Sequence, residues 1–158
     1  MNNNDVIKKF YTGFANGNVT EMTECYHDNI RFKDPVFGEL KGAEAKAMWE
    51  MLMDRRTDST KISFENIHST QHEGSADWKA VYLYGKSKRK VINNIQAHFK
   101  FKDGKIIDHI DEFNLWKWTQ QALGVSGYIL GWTPFMKNKI QKTVRQQLNS
   151  FIAKKKIN

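Results

Sequence analysis

Three side chains able to move protons sit in apolar company in this sequence. Asp34 lies in Arg31-Phe-Lys-Asp-Pro-Val-Phe-Gly-Glu-Leu-Lys-Gly42, directly before a proline, and His109 and Asp111 lie two apart in Ile107-Asp-His-Ile-Asp-Glu-Phe113. An aspartate ahead of a turn can accept the N–H groups that follow it and do nothing more. A carboxyl held in a dry pocket behaves differently, because loss of water raises its pKa towards the range that acid–base catalysis uses. The residue types leave both readings open for Asp34. For the other two, strand parity is informative: in a strand over 105–116, Ile107, His109, Asp111, Phe113 and Leu115 share one face. If that face is interior, an imidazole and a carboxylate stand about 7 Å apart at Cα among apolar neighbours. The plain alternative is a mutually satisfied pair that only holds the fold.

Other chemistries find little support. The five histidines show no metal-ligand spacing, and no glycine-rich phosphate loop follows a strand, so neither metal nor cofactor is expected. The single cysteine, Cys25, reads as part of a surface helix with no base beside it, a poor nucleophile.

The elements that must position these groups follow from hydrophobic spacing. Residues 5–16 carry Val6, Phe10 and Phe14 at helical intervals, 20–26 reads as a short second helix, and 43–56 is a strong helix whose apolar face is widened by Trp49. A short strand is expected over 30–33, with a turn or small hairpin over 35–42. The segments 61–72, 75–84, 90–102 and 105–116 are rich in β-branched and aromatic residues, and connectors such as Asp103-Gly104 divide them. On strand 75–84, Trp78, Ala80, Tyr82 and Tyr84 share a face; on 90–102, Ile95, Ala97, Phe99 and Phe101 do, which sends His98 outward. The segment 117–123, a glycine-containing turn through Gly131–Pro134 and a closing helix over 135–153 complete the chain. Helices followed by a run of antiparallel strands predict an α+β fold. The expected form is a cone-shaped curved antiparallel sheet, with N-terminal helices on its concave face and an added C-terminal helix.

Composition bounds the rest. A chain of 158 residues with 40% hydrophobic content suits one domain with a core. One cysteine, no secretory h-region and no long apolar run point to a soluble cytoplasmic protein. The net charge of +8 is unevenly placed: Glu112 is the last acid, and eight of the 25 Lys/Arg residues follow it. So basic a C-terminus could meet nucleic acid or an anionic membrane, or could simply be the solvated face of a helix.

Phe10-Tyr-Thr-Gly-Phe-Ala-Asn-Gly-Asn18, Ile30-Arg-Phe-Lys-Asp-Pro35, Gly42 with its helix, and Phe99-Lys-Phe-Lys-Asp-Gly-Lys-Ile106 followed by His109-Ile-Asp111 together resemble one superfamily. It is the nuclear transport factor 2-like superfamily, in its branch of SnoaL-like polyketide cyclases and ketosteroid isomerases. The resemblance spans roughly residues 5–116 and implies a SnoaL-like barrel domain over 1–116, with 117–158 as a C-terminal helical extension packed on it. It implies a deep apolar pocket and a homodimer formed through the sheet. By the same resemblance Asp34 falls at the isomerases' general base and Asp111 at the cyclases' acid, with His109 and Phe113 at other pocket-lining positions. Phe10, Tyr11, Phe14, Trp49, Trp78, Tyr82, Ala97, Phe99 and Phe113 are expected to contact a small apolar ligand. Two isomerase donors are missing: Phe10 stands where the isomerases have a tyrosine, with Tyr11 one step off, and about Ala97 stands where they have a protonated aspartate. Without those donors an enolate loses its main stabiliser, which argues against steroid isomerisation. The expected function is a cofactor-free acid–base enzyme of isomerase, cyclase or hydratase/hydrolase type; the alternative is a non-catalytic ligand-binding or dimerisation domain.

Overall fold

The computed structural model describes residues 1–157. Helix α1 (Asn3–Asn16) begins at a capping box, in which Asn2 accepts the Asp5 N–H and the Asp5 carboxylate accepts the Asn2 N–H. It stops at Gly17, whose φ of 75° favours glycine. Its buried face carries Val6, Ile7, Phe10, Tyr11 and Phe14. Helix α2 (Val19–Glu24) follows, and Cys25 closes it. Cys25 is buried rather than on the surface: its Sγ contacts the Glu21 carbonyl at 3.2 Å, and burial pushes its thiol up to about 11. The expected surface position fails because the helix is short and its end turns directly into the core.

Six strands form one curved, unclosed sheet: β1 (Tyr26–Asp34), β2 (Gly38–Lys41), β3 (Lys61–Ser69), β4 (Glu73–Tyr84), β5 (Arg89–Lys102) and β6 (Lys105–Glu112), in the order β2-β1-β6-β5-β4-β3. Helix α3 (Ala43–Asp54) lies between β2 and β3 in sequence and joins α1 and α2 over the concave face. The β5–β6 hairpin closes through Asp103-Gly104, both at positive φ, as that dipeptide predicts. All neighbours pair antiparallel except β1 and β6, which run parallel. The first and last strands lie side by side within the sheet, with β1 next to the edge strand β2.

Two expectations are corrected along β6. The strand ends at Glu112, not Trp116, because Asn114 caps a new helix through its side chain and the Lys117 N–H. A β-bulge also interrupts the pairing with β5, where Lys100 faces Asp108 but Phe101 faces Ile106. The extra residue is Ile107, so Ile106 rather than Ile107 is fully buried, while His109 and Asp111 stay inward.

Beyond β6 come α4 (Leu115–Leu123), α5 (Val125–Leu130) and α6 (Pro134–Ile157). Helix α5 occupies a stretch read from sequence as turn, since its glycines suggested a break. Those glycines serve close packing instead. A β-carbon on Gly127 would overlap the Thr119 carbonyl, and one on Gly131 the Thr119 hydroxyl. Gly127→Ala is accordingly expected to lower stability by about 2–3 kcal/mol through overpacking, read as a shift of the urea midpoint without loss of β-sheet signal. Helix α6 buries Met136, Ile140, Val144 and Leu148, and its Gln141 donates to the Pro35 carbonyl at 3.0 Å. The extension is thus tied to the β1–β2 turn that carries Asp34.

Candidate active site

The parallel pairing of β1 with β6 sets Phe32 beside His109 and Lys33 beside Ile110. The same register carries Asp34 and Asp111 towards one another, and both line one cavity, with the Asp111 charge felt at Asp34. A sequence separation of 77 residues thereby becomes a carboxylate pair.

Asp34 closes a turn and also lines the cavity. Its Oδ1 accepts the Val36 N–H at 2.9 Å and the Phe37 N–H at 2.6 Å, closing the turn around Pro35. Its Oδ2 accepts no hydrogen bond from any described residue. Burial pushes the carboxyl up from 3.8 to about 7; the Phe37 and Val36 N–H groups oppose that rise, and the nearby Asp111 charge adds to it.

His109 and Asp111 belong to a buried chain of hydrogen bonds. The Trp49 indole N–H donates to the Tyr26 oxygen at 2.9 Å, and the Tyr26 hydroxyl meets His109 Nδ1 at 2.6 Å. His109 Nε2 meets Asp111 Oδ1 at 2.9 Å, and the Trp78 indole N–H donates to the same oxygen at 3.2 Å. Tyr26 accepts from Trp49 and has its own proton free to donate to Nδ1. With the Tyr26 proton in that bond, the His109 Nε2–H donates to Asp111 Oδ1. His109 is fully buried and enclosed by the rings of Phe10, Phe32, Trp49 and Phe99.

A cavity of about 570 Å³ opens between the sheet, α3 and α6, within the range of small-molecule sites. Its wall includes Asp34, Asp111, Phe14, Trp49, Trp78, Tyr82 and Phe113, all singled out by the sequence. His109 is sealed behind that wall. Phe10, Tyr11, Ala97 and Phe99 also lie behind it, in the core, because the rings of Trp49 and Trp78 and the Asp111 side chain stand between. The Tyr11 hydroxyl is buried with no hydrogen-bond partner among the described residues. Exposed Arg55, Lys86 and Lys88 border the opening.

Two wall groups gain significance only in three dimensions. Asn93 is buried and its amide makes no side-chain hydrogen bond with the described residues. Its inward parity on β5 was available in the sequence, but nothing marked it as more than a strand residue. The Tyr82 oxygen accepts the Trp118 indole N–H at 2.7 Å, which leaves the hydroxyl proton to donate elsewhere. Burial pushes Tyr82 up to about 12, so it stays a donor at neutral pH. Trp118, Val144 and Gln147 of the extension complete the wall. Ala80 lies on that wall too, and Ala80→Phe is expected to fill part of the cavity. Uptake of an apolar fluorescent dye should fall at least about tenfold while the fold survives, a loss of about 1.4 kcal/mol in binding.

A curved α+β sheet covered by helices, with a cavity at the open end of the cone, defines the nuclear transport factor 2-like class. The SnoaL-like domain model matches residues 7–109, and the chain belongs to that family. Among solved structures it is similar to TsrD from Streptomyces laurentii (16% identity, TM-score 0.64, covering 77% of this chain and 94% of that one). It is also similar to the epoxide hydrolase/cyclase-like enzyme SalBIII of salinomycin pyran ring formation (15%, 0.61, 70% and 89%). A third similar structure is a proposed polyketide cyclase from Pseudomonas putida (15%, 0.61, 77% and 98%). At such identities the likeness concerns the fold. No curated protein matches the sequence.

Proposed function

We propose that the chain is a cofactor-free acid–base enzyme acting on a small, largely apolar molecule bound in this cavity, in an isomerisation, cyclisation or hydration. The observation that carries the reading is the unengaged oxygen of Asp34, beside Asp111 on the wall of an apolar cavity. A carboxyl near 7 is part ionised at neutral pH, so it can take a proton from carbon and return it. For a carbonyl substrate, Asp34 Oδ2 removes the proton on the α-carbon, and the C–H electron pair moves onto the carbonyl oxygen. The Tyr82 hydroxyl and the Asn93 amide are the donors for that oxygen. They line the cavity, which Phe10 and Ala97 do not reach, and supply donors that those two residues lack. His109 is a positioning residue, holding Asp111 rather than touching the ligand. Asp111 then stabilises positive charge or orients a polar group of the substrate.

The test is a screen of small carbonyl, epoxide and enone compounds, comparing wild type with Asp34→Asn and Tyr82→Phe. Turnover that falls with both variants supports the reading. Ligand binding without turnover, unchanged in Asp34→Asn, would make the chain a carrier.

A further inference from the structure

The segment from Trp116 to Phe135 exposes an apolar surface that the cavity does not use. Val125 is 75% exposed, Tyr128 61%, Ile129 63%, Trp132 67% and Phe135 68%, with Trp116 and Leu130 above 40%. They form one region: α5 and its exit turn carry most of them, and the Trp116 indole N–H donates to the Tyr128 carbonyl, joining α4 to it. Folded chains rarely leave such a patch without a partner.

Charge says what kind of partner. Tyr128 lines a shallow groove with Arg89 and Lys90, Lys117 follows Trp116, and Lys139 and Lys142 stand one and two turns beyond Phe135 on its stripe of α6. None of these cations pairs with a carboxylate among the described residues, and residues 113–158 contain no Asp or Glu. A second copy seated symmetrically on this patch would bring cations against cations. A surface that is apolar within and anionic at its face suits both features. The aromatic residues fit the interfacial zone of a bilayer, and both indole N–H groups are already spent on backbone carbonyls, Trp116 on Tyr128 and Trp132 on Ile129. No helix among the described residues is long and apolar enough to span a membrane, so contact would be at the surface.

We propose that the α4–α5 surface, with Trp132 and Phe135 inserted and Arg89, Lys90, Lys117, Lys139 and Lys142 around them, docks the protein on an anionic lipid bilayer. The proposal stands apart from the cavity chemistry. The experiment is co-sedimentation with vesicles of phosphatidylcholine alone and of phosphatidylcholine with one-third phosphatidylglycerol, at 50 and 500 mM salt, alongside equilibrium ultracentrifugation without lipid. Expected are binding to the anionic vesicles at low salt and a blue shift of tryptophan fluorescence. Trp132→Ser with Phe135→Ser should reduce partitioning at least tenfold, and so should Lys117→Gln with Lys139→Gln and Lys142→Gln, with far-ultraviolet circular dichroism unchanged. No binding to anionic vesicles, or equal binding to both compositions, would overturn it. So would a lipid-free dimer that the Trp132/Phe135 variant dissociates, which would assign the patch to a second copy.

Discussion

Asp34→Asn is expected to lower kcat/KM by about 10²- to 10⁴-fold on any substrate the protein turns over, the usual contribution of a positioned general base. The amide keeps an oxygen for the Val36 and Phe37 N–H groups, so the turn should survive. Wild-type activity should rise with pH through a midpoint near 7, and that limb should vanish in the variant. Stability should change in the opposite sense. The folded carboxyl sits near 7, above its unfolded value of about 3.9, so its favourable contribution is complete below pH 4 and is lost as pH rises through 7. Against wild type, the variant should therefore be close to neutral at pH 4 and more stable at pH 8. The upper bound is about 4 kcal/mol, and water in the cavity will reduce it. Urea denaturation of both proteins at pH 4, 6 and 8 reads this directly. A gain in stability with a loss of turnover is the mark of a group held for chemistry rather than for the fold.

His109→Phe should be the most destabilising single change in the site, by about 3–5 kcal/mol. The ring packs among Phe10, Phe32, Trp49 and Phe99 and a phenyl fills similar space, so the cost is polar. The Asp111 carboxylate would keep only the Trp78 indole, and the Tyr26 hydroxyl would lose its acceptor in a fully buried place. Asp111→Leu should also be costly, since it strands the His109 Nε2–H and the Trp78 N–H. Because the two residues act as a pair, His109→Phe with Asp111→Leu should cost less than the two single changes added, by about 2 kcal/mol. Additive losses would mean that the imidazole and carboxylate are held independently.

The outline of the fold was legible because its signals are local. The spacing of Val6, Phe10 and Phe14, the β-branched runs and Asp103-Gly104 each depend on neighbours a few residues away. The failures have equally definite causes. Parity along β6 assumed unbroken pleating, which the bulge at Ile107 violates. The helix over Val125–Leu130 was hidden because glycine marks both breaks and close helix packing, and only the Thr119 contacts distinguish them. In the site, Asp34, His109 and Asp111 stood out as titratable groups in apolar surroundings. Their arrangement did not, because it rests on a parallel pairing between the first and last strands that no local pattern encodes. Tyr26, which meets the imidazole at Nδ1, reads in sequence as an ordinary aromatic. Asn93 reads as an ordinary polar residue, and its significance comes from lacking a partner where it is buried.

The most direct measurement is the titration of the Asp34 carboxyl carbon by NMR in wild type and in Asp111→Asn. The account predicts a midpoint near 7 in wild type and a lower one in the variant, because the neighbouring charge is gone while burial remains. A wild-type midpoint near 4, unmoved by Asp111→Asn, would contradict it and leave Asp34 as a turn residue alone.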